Sequence, residues 1–188
     1  MVGWSCVPDS RQVFDIYFAN RTDTCRFLLG KAGTRPLFVV GLNPSTANRE
    51  KSDVTATRVA RIVERKGYDG FVLINLYPKR CTDPRQLPRR VDHRLLERNL
   101  ELVRVLASTY RQPHFWAAWG GDISVRPWLA DACRRLVSEV EKLNGHWFCL
   151  GPRDQRLLTV QGHPRHPSRA SYAWQPQAFD ARSYWASP

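Results

Sequence analysis

The chain has 188 residues, 43% of them hydrophobic, which suits one compact domain with a single core and argues against intrinsic disorder. Lys and Arg (29) outnumber Asp and Glu (17) for a formal charge of +12, and 24 of the 29 are arginines, whose planar forks grip phosphate and carboxylate oxygens in pairs. No apolar run approaches the roughly 20 residues of a membrane helix, and five scattered cysteines (Cys6, Cys25, Cys81, Cys133, Cys149) without a C-x-x-C pair argue against a disulfide scaffold or zinc ribbon.

The opening Met-Val-Gly-Trp-Ser-Cys has no basic flank followed by an apolar stretch, so no secretory leader is expected and the cytoplasm is the expected compartment. Residues 12–18 and 24–29 read as a hairpin turning at 20–23, within an N-terminal extension of 1–35. Apolar runs at 37–42, 70–76, 114–119 and 146–150 read as buried strands. Helical patterns separate them. The first, about 53–66, starts at Asp53 as N-cap and carries Val54, Val59, Ile62 and Val63 opposite a row of arginines. The second, about 92–108, has an apolar face of Leu95, Leu96, Leu100, Leu102 and Val105. The third, about 126–143, offers Trp128, Leu129, Leu136 and Val140, with Asp122 available to cap it. This alternation predicts an α/β fold, a three-layer α/β/α sandwich around a mostly parallel sheet of about four strands, in one domain. The aromatic tail at 171–188, with Tyr172, Trp174, Phe179, Tyr184 and Trp185, is expected to wrap the body.

In an open parallel sheet, ligands bind beyond the carboxyl ends of the strands, where loops and helix N-termini gather. The loops in that position hold Gly41-Leu42-Asn43-Pro44-Ser45-Thr46, then Asn75, then Trp119-Gly120-Gly121-Asp122, and finally Gly162-His163-Pro164-Arg165-His166-Pro167-Ser168. Singly, each has a structural explanation: a turn, a cap, a tight bend, a rigid surface loop. Asp53 reads first as a helix cap, and His93, His114 and His146 read as structural. Together, amides, an imidazole and arginines at one edge, without a nucleophile triad or a metal cluster, suit a polar planar ligand such as a nucleobase.

These residues, in this order, resemble motifs of the uracil-DNA glycosylase superfamily. Gly41-Leu42-Asn43-Pro44 is similar to its water-positioning motif in the mismatch-specific branch. Gly70-Phe71-Val72-Leu73-Ile74-Asn75 resembles the strand ending in the base-reading Asn, and His166-Pro167-Ser168 resembles the motif whose His stabilises the departing base. More closely, Leu42-Asn43-Pro44-Ser45-Thr46-Ala47, Asn75, Thr82-Asp83-Pro84, Ala118-Trp119-Gly120 and Pro164-Arg165-His166-Pro167 resemble domain-of-unknown-function family 1643, which brings no activity with it.

The superfamily resemblance implies a uracil-DNA-glycosylase-like fold and hydrolysis of an N-glycosidic bond of a damaged or modified base in DNA, without metal or organic cofactor. It implies Asn43 and His166 as catalytic residues, His166 being preferred to His163. Asn75, Leu42, Pro44 and Gly120 would bind the base, and Ser45, Thr46, Arg165, Ser168 and Arg169 the phosphates. Arg169 and Ala170 stand where a duplex glycosylase carries an apolar wedge, and Thr46, Ala47 and Asn48 where it carries a stacking aromatic. Single-stranded DNA, a modified base or a free nucleotide therefore fits better than uracil in a duplex. A non-catalytic DNA or modified-base binding module is the alternative from another class. No membrane partner is expected.

Overall fold

The computed structural model describes residues 13–153 and 155–185. Residue 12, the expected start of the first strand, Cys6 and the last three residues of the tail lie outside that range. The described residues form a mixed α/β fold of one sheet and three α-helices.

Strands β1 (Ile16–Ala19) and β2 (Arg26–Lys31) form the antiparallel hairpin. It turns through Asn20, whose Oδ1 accepts the Cys25 N–H at 2.9 Å. Then come β3 (Pro36–Gly41), α1 (Val54–Arg65), β4 (Gly70–Asn75), α2 (His93–Ala107), β5 (His114–Ala117), α3 (Pro127–Lys142), β6 (His146–Gly151) and β7 (Gln175–Ala178). Asp53 and Asp92 cap α1 and α2, accepting the N–H of Ala56 and Leu95. Asp122 does not cap α3. It lies in a 3-10 turn, Gly121–Val125, and α3 starts with Pro127 at its first position, where no N–H needs a partner.

The sheet has seven strands, in the order β1-β2-β4-β3-β5-β6-β7, where about four were expected. Its parallel centre, β4-β3-β5-β6, matches the four apolar runs. The hairpin is continuous with that centre, because β2 pairs antiparallel with β4 through Leu29↔Leu73 and Gly30↔Val72. At the other edge β7 pairs antiparallel with β6. Its sequence, Gln-Pro-Gln-Ala, has no apolar alternation, and an edge strand tolerates its proline.

The sheet separates two cores instead of enclosing one. Phe38, Val40, Val72, Ile74 and Phe115 pack in one cluster with Leu96, Leu100 and Val103 of α2 and Leu129, Leu136 and Val140 of α3. Their strand neighbours Leu37, Val39, Phe71, Leu73 and Trp116 pack in the other with Ala56, Val59, Ile62 and Val63 of α1. Truncating one of these fully buried side chains, such as Ile62→Ala, costs about 2–5 kcal/mol. Val54 and Val105, expected on apolar faces, are instead exposed, because they fall on the helix rows of Arg58 and Arg61 and of Arg98 and Glu101.

The aromatic tail packs on both clusters. Phe179, Tyr184 and Trp185 lie against the first, and Tyr172 and Trp174 against the second. Tyr172 receives the guanidinium groups of Arg58 and Arg65 on its ring at 4.8 and 4.7 Å. Among the described residues no helix is long and apolar enough to cross a membrane.

Candidate functional site

A cavity of about 220 Å³ opens at the carboxyl ends of β3 and β4, beside the first turn of α1. Leu42, Asn43 and Ser45 line it from the loop after β3, with Asn75 from the end of β4 and His166 from the distant C-terminal loop. The loops after β3 and β4 are zipped together: Leu76 N–H donates to Gly41 O, Tyr77 N–H to Leu42 O and Cys81 N–H to Pro44 O, at 3.0–3.1 Å. Residues held in this way keep a fixed geometry without help from a ligand.

Asn43 is held at its amide nitrogen. Nδ2 donates to the carbonyls of Cys81 (2.7 Å) and Pro44 (3.1 Å). Carbonyls only accept, so these two bonds fix which way the amide faces and leave Oδ1 as its free acceptor. Pro44 is buried and does not line the cavity; its carbonyl positions Asn43. Thr46 is exposed and also lies outside the lining.

Asn75 is only 4% exposed. Its Nδ2 is buried and has no partner among the described residues. Its main-chain carbonyl accepts from Nδ2 of Asn99 at 2.8 Å, a fully buried residue of α2 that the sequence reading missed. The signal was there, since Asn99 is a polar residue within the apolar stripe of α2. Gly41 leaves the room that the Asn75 amide occupies: a Cβ at Gly41 would lie 2.8 Å from Asn75 Oδ1.

His166 is fixed in one tautomer. Its Nδ1 accepts the Ser168 N–H at 3.3 Å and lies 2.9 Å from Ser168 Oγ. A backbone N–H only donates, so Nδ1 carries the lone pair and Nε2 the proton. Burial also holds the imidazole below its ordinary pKa, which favours the neutral ring. Gly120 makes room for it, with φ +73 and its Cα facing the His166 Cβ. A second cleft of about 400 Å³, lined by Gly120, Arg165, Ser168 and Arg169, adjoins the first across Trp119, Asp122 and His166.

The two arginines of that cleft differ. Arg169 is exposed and makes no side-chain hydrogen bond or ion pair among the described residues. Arg165 instead donates from Nη2 to the Leu158 and Arg156 carbonyls and lies over Trp174 at 5.4 Å. Its Nη2 is thus spent on its own loop, while the residue still lines the second cleft. His163 lines neither cavity; Nδ1 meets Tyr184 Oη at 2.5 Å and Nε2 lies 3.4 Å from Ser124 Oγ. Asp53 lines the first cavity with both carboxylate oxygens occupied, by the N–H groups of Ala56 (2.8 Å) and Ala47 (3.2 Å).

The family described as Protein of unknown function (DUF1643) matches residues 26–168. The chain belongs to that family. No curated protein and no solved structure matches the chain. The matched span runs from the first residue of β2 to Ser168, so every residue that lines the first cavity falls inside it, while β1 and β7 fall outside.

Among the lining residues given no site role from the sequence are Thr82, Cys81 and Arg26. Thr82 is exposed at the rim. Cys81 is half-buried, and burial raises its pKa, so it is a thiol at neutral pH. Arg26 is 4% exposed at the start of β2, with no carboxylate oxygen among the described residues within 4.0 Å. Burial and the neighbouring Arg80 lower its pKa to about 10, so it remains a cation at neutral pH. An arginine opening the apolar run Arg26-Phe27-Leu28-Leu29 was the available signal. Cys133 and Cys149 are core residues, the first pushed up to about 12 by burial. Among the described residues no group of three or more His, Cys, Asp or Glu is arranged to hold a metal ion.

Proposed function

We propose that this protein recognises a nucleobase in the cavity at the carboxyl edge of its sheet and hydrolyses the N-glycosidic bond of a damaged or modified base, with single-stranded DNA preferred. The observation that carries the reading is the convergence of Asn43, Asn75 and His166 on one cavity of about 220 Å³, each with side-chain hydrogen-bonding capacity left open. Asn43 offers an acceptor, Asn75 an amide with neither its oxygen nor its nitrogen bonded among the described residues, and His166 a donor at Nε2.

That set suits the reaction. The Asn43 oxygen orients a water toward the anomeric carbon by accepting one of its protons in a hydrogen bond. As the new C–O bond forms, the C–N bond breaks and its electron pair leaves with the base. The His166 Nε2–H donates to the base carbonyl where that charge accumulates, and the neutral ring does so without giving up its proton. The proton lost by the water passes to the departing base through solvent. The Asn75 amide, whose oxygen and nitrogen are both unbonded among the described residues, reads the base edge, and Ser168 and Arg169 in the adjoining cleft suit the flanking phosphate.

The reading takes the fold as a three-layer α/β/α sandwich of the uracil-DNA glycosylase type. Support comes from the division of the helices between the two cores and from the residues gathered at the carboxyl edge. A preference for single strands follows from the loop beyond His166: Ala170 is buried with its carbonyl bonded to Arg58, and exposed Arg169 cannot act as an apolar wedge.

The test is strand cleavage after alkali on single- and double-stranded oligonucleotides carrying uracil, hypoxanthine, hydroxymethyluracil and bulkier pyrimidines. Base release from any of them, lost in both Asn43→Ala and His166→Ala, is the expected result. Silence of the wild-type protein across the panel, with salt-sensitive binding retained, would replace hydrolysis by a binding module.

A further inference from the structure

Beneath the cavity, two arginines meet at one carbonyl. Arg26 Nη1 and Arg80 Nη1 each donate to Ala47 O at 2.9 Å. Arg80 is answered elsewhere, by Asp23 at 3.0 Å, Tyr17 Oη at 2.9 Å and Ser45 O at 2.7 Å. Arg26 is not. Its bond to Ala47 is its only side-chain hydrogen bond among the described residues, its Nε is buried without a partner, and Nη2 has no protein partner. The other carboxylate near it, Asp53, lies beyond ion-pair distance, and its oxygens are taken by two backbone N–H groups at the positive end of α1.

A buried cation without a counterion is costly, and removing it normally improves a fold. The hydrogen bond it makes is also redundant, since Ala47 O keeps Arg80. Retaining such a group against the wall of a cavity makes sense where the counterion arrives with the ligand. We infer that Arg26 is an anion-recognising residue, and that the ligand of this cavity carries an oxyanion, a phosphate or a carboxylate, seated on the Arg26 guanidinium. This rests on the reading of the cavity as a nucleobase site and narrows its substrate class to a base or nucleotide bearing a negative charge. Nη2, unbonded and not sealed off as Nε is, is the donor an anion oxygen can reach from the cavity.

The oxyanion has two sources, an acid group on the base or the phosphate of the nucleotide. Thermal melts at constant ionic strength separate them, using inorganic phosphate, deoxyuridine, its 5′-monophosphate and a pyrimidine carboxylate such as orotate. A ligand that binds only the folded state raises Tm, and at equal concentration a tighter ligand raises it more. The expected result is a rise with the monophosphate or the carboxylate, and roughly tenfold or more weaker binding of neutral deoxyuridine. Arg26→Met removes the charge at similar volume. It should melt at or above the wild-type temperature without ligand and lose the anion-dependent rise.

Arg26→Lys keeps the charge and loses the fork, so its anion affinity should fall by roughly tenfold while its fold is retained. Equal affinity for the nucleoside, its monophosphate and the carboxylate, or an anion-dependent rise unchanged in both variants, would overturn the inference. So would a large fall in Tm for unliganded Arg26→Met, which would make Arg26 a structural cation. Base release from oligonucleotides that persists in Arg26→Met would overturn the anion site and leave the nucleobase reading standing. Arg26-dependent binding of inorganic phosphate, with no preference among the pyrimidine ligands, would do the reverse.

Discussion

Gly41→Ala isolates the role of Asn75 without touching it. Gly41 closes β3 directly opposite Asn75 at the end of β4. A methyl there meets the Asn75 amide oxygen at 2.8 Å, and the next atoms are 3.8 and 3.9 Å away. Carbon and oxygen pack comfortably at about 3.5 Å, so the amide oxygen must retreat by about 0.7 Å while its surroundings stay. Gly41 does not have a positive φ, so alanine fits its backbone and lowers the entropy of the unfolded chain, a gain of about 0.4–1 kcal/mol. Displacing the end of one side chain costs a similar amount. The net change in stability should therefore stay within about 1 kcal/mol, or roughly 2–4 °C in Tm for a chain of this size. A reacting or reading group misplaced by about 1 Å costs on the order of 100-fold.

The expected result is a near-wild-type melt with base release reduced roughly 10- to 100-fold, on whichever oligonucleotide the wild-type protein processes. The methyl also borders the cavity, so a double-mutant cycle is needed to separate displacement of Asn75 from direct obstruction. If Gly41→Ala acts through Asn75, adding it to Asn75→Ala should change turnover no further. Wild-type turnover in Gly41→Ala, or full additivity in the cycle, would refute the role given to the Asn75 amide.

Gly120→Ala should be more damaging: φ +73 with ψ −176 is a region almost closed to other residues, costing roughly 1–3 kcal/mol, and the new methyl sits 3.3 Å from His166 Cβ. Calorimetry and base release should both fall, and a melt unchanged by the substitution would contradict this backbone assignment. Arg169→Ala should lower the log–log salt slope of single-strand binding by about 0.7, as expected for one lost phosphate contact. Arg165→Ala should leave that slope unchanged and lower Tm, because its guanidinium holds the Leu158 carbonyl and Trp174. His166, His163 and His114 are all held below the ordinary value of 6.5 by burial, so the unfolded chain binds more protons than the folded one just under that pH. Their contribution is complete above about pH 6.5 and is lost as pH falls through the depressed folded values, which urea midpoints at neutral and mildly acidic pH will register. A midpoint that rises on acidification would refute it.

The parts of the site legible in the sequence are those that follow parallel strands. Asn43, Asn75 and His166 each come where a strand or its return loop delivers residues to the carboxyl edge, a position fixed by strand direction alone. What hydrogen bonds do after arrival was not legible. Pro44 and Thr46 sit beside Asn43 in sequence, yet the turn buries one and points the other outward. Arg165 reads as a phosphate ligand, but Leu158 and Arg156, seven and nine residues earlier, take its Nη2. The strand β7 was hidden for a different reason: it covers an edge, and its pairing with β6 needs backbone groups more than side-chain pattern.

Arg26 escaped because its place depends on the flank of the sheet, where the direction rule inverts. A purely parallel sheet brings only the C-terminal ends of strands to its ligand edge. Here β2 runs antiparallel to β4, so it is the start of β2 that arrives beside the end of β4. The pairing continues past both strands: Arg26 N–H donates to Pro78 O at 2.9 Å, Arg80 N–H to Thr24 O at 3.0 Å, and Cys25 bridges Lys79. One short antiparallel ribbon thus sets two guanidinium groups under loops built by the parallel centre. The same ribbon holds the segment that carries Cys81, whose carbonyl orients the Asn43 amide. The hairpin therefore acts as part of the site: shifting its register by one residue would turn Arg26 to the opposite face of the sheet and loosen the clamp on Asn43.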